Sequence, residues 1–132
     1  MRSDGLWHPR LAELIVEMAH TDTLVVADAG LPTPSGVERI DLLWSRGQPP
    51  FLPVVRAILA ELVVEQATVA EEMKDPGLLD FVETSLADIP VTRVSHEQFK
   101  QRCREARAVV RTGEDTPYAN VILHAGVPFG EE

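Results

Sequence analysis

"HTDTLVVADAGLP", residues 20–32, sets a short apolar run between a histidine and an aspartate. Residues 23–27 (TLVVA) are β-branched and apolar without polar alternation, the composition of a strand buried on both faces, as in a parallel sheet. His20 stands just before that strand and Asp28 closes it. The following "GLPTPSG", residues 30–36, holds too many turn formers to continue any regular element and reads as a loop.

Outward from this strand the chain alternates between helical and extended patterns. Upstream, Pro9 followed by Leu11, Leu14, Ile15 and Met18 has the spacing of an amphipathic helix with proline in its first turn. His20 falls just past its end. Downstream, after "ERIDLLWSRGQPP", a second helix begins around Pro50 and places Leu52, Val55, Ile58, Leu59 and Leu62 on one face. Residues 67–70 (ATVA) form a strand followed by Glu71 and Glu72, and "DPGLLDFVETSL" is a third helix capped by Asp75. "PVTRV" is another strand. Ser95 with Gln98 three residues on makes a capping box that opens a helix through about Arg107, with His96 in its first turn. Residues 108–111 (AVVR) and 121–123 (VIL) are two further strands, separated by the irregular "TGEDTPYAN". Such alternation predicts a three-layer α/β/α fold, a mostly parallel sheet with helices on both faces.

Composition narrows the classes of function. A chain of 132 residues suits a single domain, 1–132, that buries roughly 68–70% of its unfolded surface. No apolar run approaches the length of a membrane span, and no secretory leader pattern is visible, so the expected setting is the cytoplasm. Cys103 is the sole cysteine, which excludes an internal disulfide framework and fits a reducing compartment. Twelve Lys and Arg against 21 Asp and Glu give a net charge of −9. That charge repels nucleic acid and disfavours strongly anionic substrates, leaving a neutral small molecule as the easier ligand.

Ligands of open α/β sheets bind outside the carboxyl ends of the strands, so polar residues there carry the most weight. Asp28, Glu71, His96, Tyr118 and Asn120 all lie beside strand termini. Singly, each has an ordinary explanation: Asp28 as a turn residue, His96 in a helix's first turn, Tyr118 and Asn120 as loop residues. Together, carboxylate, imidazole, phenol and amide can hydrogen-bond sugar hydroxyls and move protons, with histidine the natural shuttle at neutral pH. Asp28 either orients His20 by accepting its ring proton or binds a substrate hydroxyl directly; the sequence leaves both open. Other chemistries fail on spacing. There is no dinucleotide fingerprint, P-loop or nucleophile elbow, and His8, His20, His96 and His124 lack metalloprotease spacing, so no metal is expected. Asp28-Ala29-Gly30 at a strand end is shared with phosphoacceptor receivers, whose paired acids and lysine have no counterparts here. Lys100, Arg104, Arg107 and Arg111 read as a solvated basic face.

In order along nearly the whole chain, "HTDTLVVADAGLP" (20–32), "RIDL" (39–42), "GQPPF" (47–51), "AEEMK" (70–74), "HEQFK" (96–100), "TPYAN" (116–120) and "AGV" (125–127) resemble the D-ribose pyranases. The sister L-fucose mutarotases tend to differ after the first Asp-Ala and between the tyrosine and asparagine. Gly30-Leu31-Pro32 and Ala119 side with the ribose enzymes. The resemblance implies an isomerase interconverting the pyranose and furanose forms of D-ribose in ribose catabolism, without cofactor. It implies His20 as proton donor and Asp28, His96, Tyr118 and Asn120 as substrate contacts. It also implies a homo-oligomer, a decamer, whose sites lie at subunit interfaces. Trp7 and His8 depart from the leucine and asparagine usual in such proteins. The competing reading, a ribose-binding or regulatory module without turnover, would need no proton donor at position 20.

Overall fold

The computed structural model describes residues 1–130. The unalternating run becomes β1 (Thr23–Ala27), and its two faces serve two cores: Leu24 and Val26 point to one, Val25 and Ala27 to the other. Around it lie α1 (Pro9–Glu17), β2 (Glu38–Asp41), α2 (Phe51–Leu59), β3 (Val64–Ala70), α3 (Pro76–Thr84), β4 (Val91–Val94), α4 (His96–Arg102), β5 (Ala108–Arg111) and β6 (Val121–Ala125). The six strands form one sheet in the order β2-β5-β1-β6-β3-β4. β1 and β2 pair parallel with β5, and β3 parallel with β4. β6 runs antiparallel to both β1 and β3. The mostly parallel α/β/α expectation therefore holds, with one inserted antiparallel strand.

The helices divide unequally. Leu11 and Leu14 of α1, Phe51, Val54, Val55 and Ile58 of α2, and Leu78, Phe81 and Val82 of α3 cover one face in the larger core. On the other face, Phe99 of α4 packs with Cys103, Ala106, Val25, Val109 and Ile122. Phe51 and Phe81 meet edge to face at 5.9 Å, and truncating either to alanine would cost about 3–5 kcal/mol. Burial pushes the Cys103 thiol up to about 11, which makes it an inert core residue.

The helix ends follow local chemistry. Ser95 and Gln98 complete the capping box of α4, and Asp75 accepts from Leu78 N at 3.2 Å at the start of α3. His8 caps α1, its Nδ1 accepting from Leu11 N at 3.1 Å, so this departure from the usual sequence is a helix signal. Trp7 beside it is exposed.

The fold departs from the sequence reading at two places. Residues 38–41 form a strand that the apolar pattern does not announce: β2 is an edge strand in which only Ile40 is buried between charged neighbours. The fourth helix stops at Arg102, passes through a 3₁₀ turn at Cys103–Glu105, and does not reach Arg107. Arg107 N already donates to Thr23 O at 2.9 Å, so joining β5 to β1 pulls the chain straight before another helical turn can form. The basic face is solvated as expected, with Arg104 and Arg107 exposed, and part of its charge is paired within the chain. Arg107 pairs with Glu17 and Asp22, Arg111 with Asp41, and Lys100 with Glu97.

Candidate functional site at two edges of the sheet

Because β6 is antiparallel to its neighbours, its amino end lies on the same sheet edge as the carboxyl ends of β1, β3, β4 and β5. That topology brings together residues from distant parts of the chain: Asp28 after β1, His96 after β4, and Tyr118 and Asn120 before β6. Asp28, Gly30, Leu31, His96, Pro117 and Tyr118 line a cavity of about 300 Å³, room for a small ligand.

Asp28 is the most constrained group in this cavity. Its backbone N–H donates to Asn120 Oδ1 at 2.8 Å, while Asn120 Nδ2 donates to Asp28 Oδ2 at 3.3 Å. Gly30 N donates to Asp28 Oδ1 at 3.0 Å. Burial nonetheless dominates and raises the Asp28 pKa above the usual 3.8, against the lowering effect of the bonds from Gly30, Asn120 and Leu31 and of the nearby His96. Asn120 is completely buried and does not line the cavity; its amide is committed to Asp28.

His96 and Tyr118 form the facing wall. Their rings meet at 5.1 Å and 78°, and His96 stacks over Phe99 at 6.4 Å. Tyr118 takes a left-handed backbone conformation, φ 64°, uncommon for a residue with a side chain. The His96 N–H donates to both carboxylate oxygens of Glu72, at 2.9 and 3.1 Å, tying the first turn of α4 to the segment after β3. Among the described residues, His96 Nδ1 is buried without a hydrogen-bond partner.

Two supporting carboxylates matter here. Glu72 was visible in sequence only as an acid after a strand. Glu114 gave no signal at all, yet it accepts from Phe51 N at 3.0 Å and from Thr116 Oγ1 at 2.8 Å, pinning the loop that leads to Tyr118. A polar residue in a turn-rich loop carries no periodicity to mark it.

His20 lies elsewhere. It precedes β1 and so sits at the opposite edge of the sheet from Asp28, separated along the strand by roughly 17 Å of extended backbone. The possibility that Asp28 orients the His20 ring within one chain is therefore overturned. Instead His20 Nε2 lies 3.1 and 3.0 Å from the two carboxylate oxygens of Glu65. His20, Val63, Glu65, Gly126, Val127, Phe129 and Gly130 line a second cavity of about 220 Å³. Among the described residues, no group of three or more His, Cys, Asp or Glu is placed to hold a metal ion, and no helix is long and apolar enough to cross a membrane.

The sequence model of the RbsD / FucU transport protein family matches residues 1–128. A D-ribose pyranase of Coprothermobacter proteolyticus is 50% identical over 131 residues, spanning 98% of this chain and 100% of that protein. Among solved structures, RbsD of Bacillus subtilis complexed with D-ribose superposes with a TM-score of 0.94 at 41% identity, covering 98% of this chain and 100% of that one. The fucose mutarotase of Streptococcus pneumoniae in complex with L-fucose is more distant, with a TM-score of 0.77 at 25% identity over 94% of this chain and 100% of that one. On the strength of a match running from the first residue to 128 and of relatives sharing about half their residues with it end to end, the chain belongs to the RbsD / FucU transport protein family.

Proposed function

We propose that this protein is a D-ribose pyranase, an isomerase that interconverts the pyranose and furanose forms of D-ribose. The observation that carries this reading is the cavity at the carboxyl edge of the sheet, where Asp28, His96 and Tyr118 converge on one small space. The end-to-end likeness to a D-ribose pyranase and to RbsD holding D-ribose supplies the substrate.

The reaction is ring opening followed by ring closing. The anomeric hydroxyl loses its proton, the bond between C1 and the ring oxygen breaks, and the ring oxygen gains a proton from an acid. The open-chain aldehyde then accepts a different hydroxyl at C1; that hydroxyl loses its proton and the carbonyl oxygen takes one up. Nothing is oxidised or reduced. His20 is the proton donor in this reading. The Asp28 carboxylate accepts a sugar hydroxyl, His96 and Tyr118 bind and orient the ring, and Asn120 acts by fixing Asp28.

A site using both His20 and Asp28 needs two copies of the chain, since the two residues occupy opposite edges of one sheet. The carboxyl edge of one copy must face the amino edge of the next. Such head-to-tail contacts form a ring when the rotation from copy to copy closes. A homo-oligomer, a decamer with sites between subunits, is the assembly we infer, working in the cytoplasm where a lone buried thiol stays reduced.

Proton exchange NMR on D-ribose tests the reading. Wild-type protein should accelerate exchange between pyranose and furanose signals over buffer, and His20→Ala should lose about 10²- to 10⁴-fold. Binding without acceleration would make the protein a ribose-binding module, and acceleration confined to L-fucose would assign it to the other branch of the family.

A further inference from the structure

Four features at the amino edge of the sheet converge on Glu65. First, the pairing of β3 with β6 slips there: Val64 opposes Ala125 and Gln66 opposes His124, so two steps along β3 match one along β6. Glu65 is the residue left over, a β-bulge, and bulges turn a side chain out of the regular alternation. Second, both of its carboxylate oxygens approach His20 Nε2, at 3.1 and 3.0 Å. Third, the neighbouring position on β6's extension is Gly126, where a Cβ would come within 3.2 Å of Glu65 Cβ and 3.4 Å of Val63 Cγ1. The glycine leaves the bulge its room. Fourth, the turn that carries His20 is held under backbone strain. Thr21 has φ 74°, a conformation costly for a β-branched residue, and it is locked by Thr21 N donating to Ala125 O at 2.9 Å and Ala125 N donating to Asp22 O at 2.8 Å.

We propose that Glu65 is the positioning residue of His20: the bulge aims its carboxylate at the imidazole and fixes the ring's orientation and tautomer for proton transfer. This rests on the reading of His20 as proton donor. An imidazolium carries two N–H groups. Glu65 accepts the one on Nε2, which sets the direction in which the ring faces. Asp22, the nearest other acid on the His20 turn, is occupied by Ala19 N and Arg107. The arrangement is the histidine-carboxylate pairing by which an acid group orients a proton-transferring ring without touching substrate.

The test compares Glu65→Ala, Glu65→Gln and His20→Ala in full-length protein by ribose exchange NMR over a range of ribose concentrations. Glu65→Ala is expected to lower kcat about 10²-fold, the low end of a general-acid contribution, with KM for ribose changed less than about twofold. Added formate, a free carboxylate small enough for the space vacated, is expected to restore part of that kcat. Glu65→Gln keeps the shape but not the charge, so it reads the same split should the alanine variant fail to fold, and formate should not rescue it. Loss of activity in His20→Ala with wild-type kcat in both Glu65 variants would overturn the role of Glu65 and leave His20 as donor. A rise in KM without loss of kcat would likewise overturn it. Full activity in His20→Ala would overturn the donor assignment itself, and with it this inference.

Discussion

Asn120 grips Asp28 from two sides, accepting its backbone N–H at Oδ1 and donating to its carboxylate from Nδ2, across 92 residues of sequence. The Asp28 carboxylate that lines the carboxyl-edge cavity is thus held by a side chain that ligand need never touch. Burial pushes the Asp28 pKa up, and the amide works against this.

The sign of the resulting pH dependence is fixed. With the Asp28 pKa raised by burial above 3.8, and the ionised form needed to accept a hydroxyl, activity should fall on acidification at a higher pH than an unperturbed aspartate would set. Asn120→Ala removes one of the bonds that lowers that pKa, so its acid limb should move to still higher pH. Ribose binding should weaken about tenfold, as expected for losing a bond to a charged group of about 1.5 kcal/mol. Rate against pH for both proteins checks this, and superimposable acid limbs would sink it.

His124 supplies a pH dependence of stability. Burial first, then Arg102, lowers its pKa below 6.5, and its Nε2 bonds Thr68 Oγ1 at 3.1 Å. As pH falls below 6.5 the unfolded chain takes up this proton before the folded one. The contribution is complete above 6.5 and is lost as pH drops through the lower folded value. His124→Gln, which still offers Thr68 a partner, should show a smaller fall in Tm from pH 7.5 to 5 than wild type. Equal slopes would contradict this.

Gly113 tests how tightly the loop framework is packed. A Cβ there would meet Gln48 backbone atoms at 2.4 to 2.6 Å, and Gly113 also links to the 47–49 segment through Gly47 N and Pro49 O. Backbone cannot swing aside as a side chain can. Gly113→Ala should cost about 1–3 kcal/mol in urea unfolding, with the midpoint lowered and the slope unchanged.

Much of this was legible in the residues. The unalternating TLVVA gave a doubly buried strand, and Ser95 with Gln98 gave a capping box, because both are local signals with one physical meaning. β2 was hidden because an edge strand buries one residue in four and reads as charged loop. The gathering of Asp28, His96, Tyr118 and Asn120 was foreseeable from strand ends. The separation of His20 from Asp28 also follows from chain order, since one precedes and the other follows the same strand. Glu65 was not foreseeable: a bulge depends on the partner strand's register, and no periodicity within residues 64–70 records it.

Complementation between variants shows whether His20 of one copy and Asp28 of the next complete a ribose-interconverting site. His20→Ala and Asp28→Ala are purified singly and as a co-expressed mixture carrying two affinity tags, and each is assayed by ribose exchange NMR. Each variant alone should be nearly inactive, while random mixing in a head-to-tail ring leaves about a quarter of the sites with both intact residues and should restore about a quarter of the activity. A mixed assembly as inactive as its parents would contradict a site shared between copies.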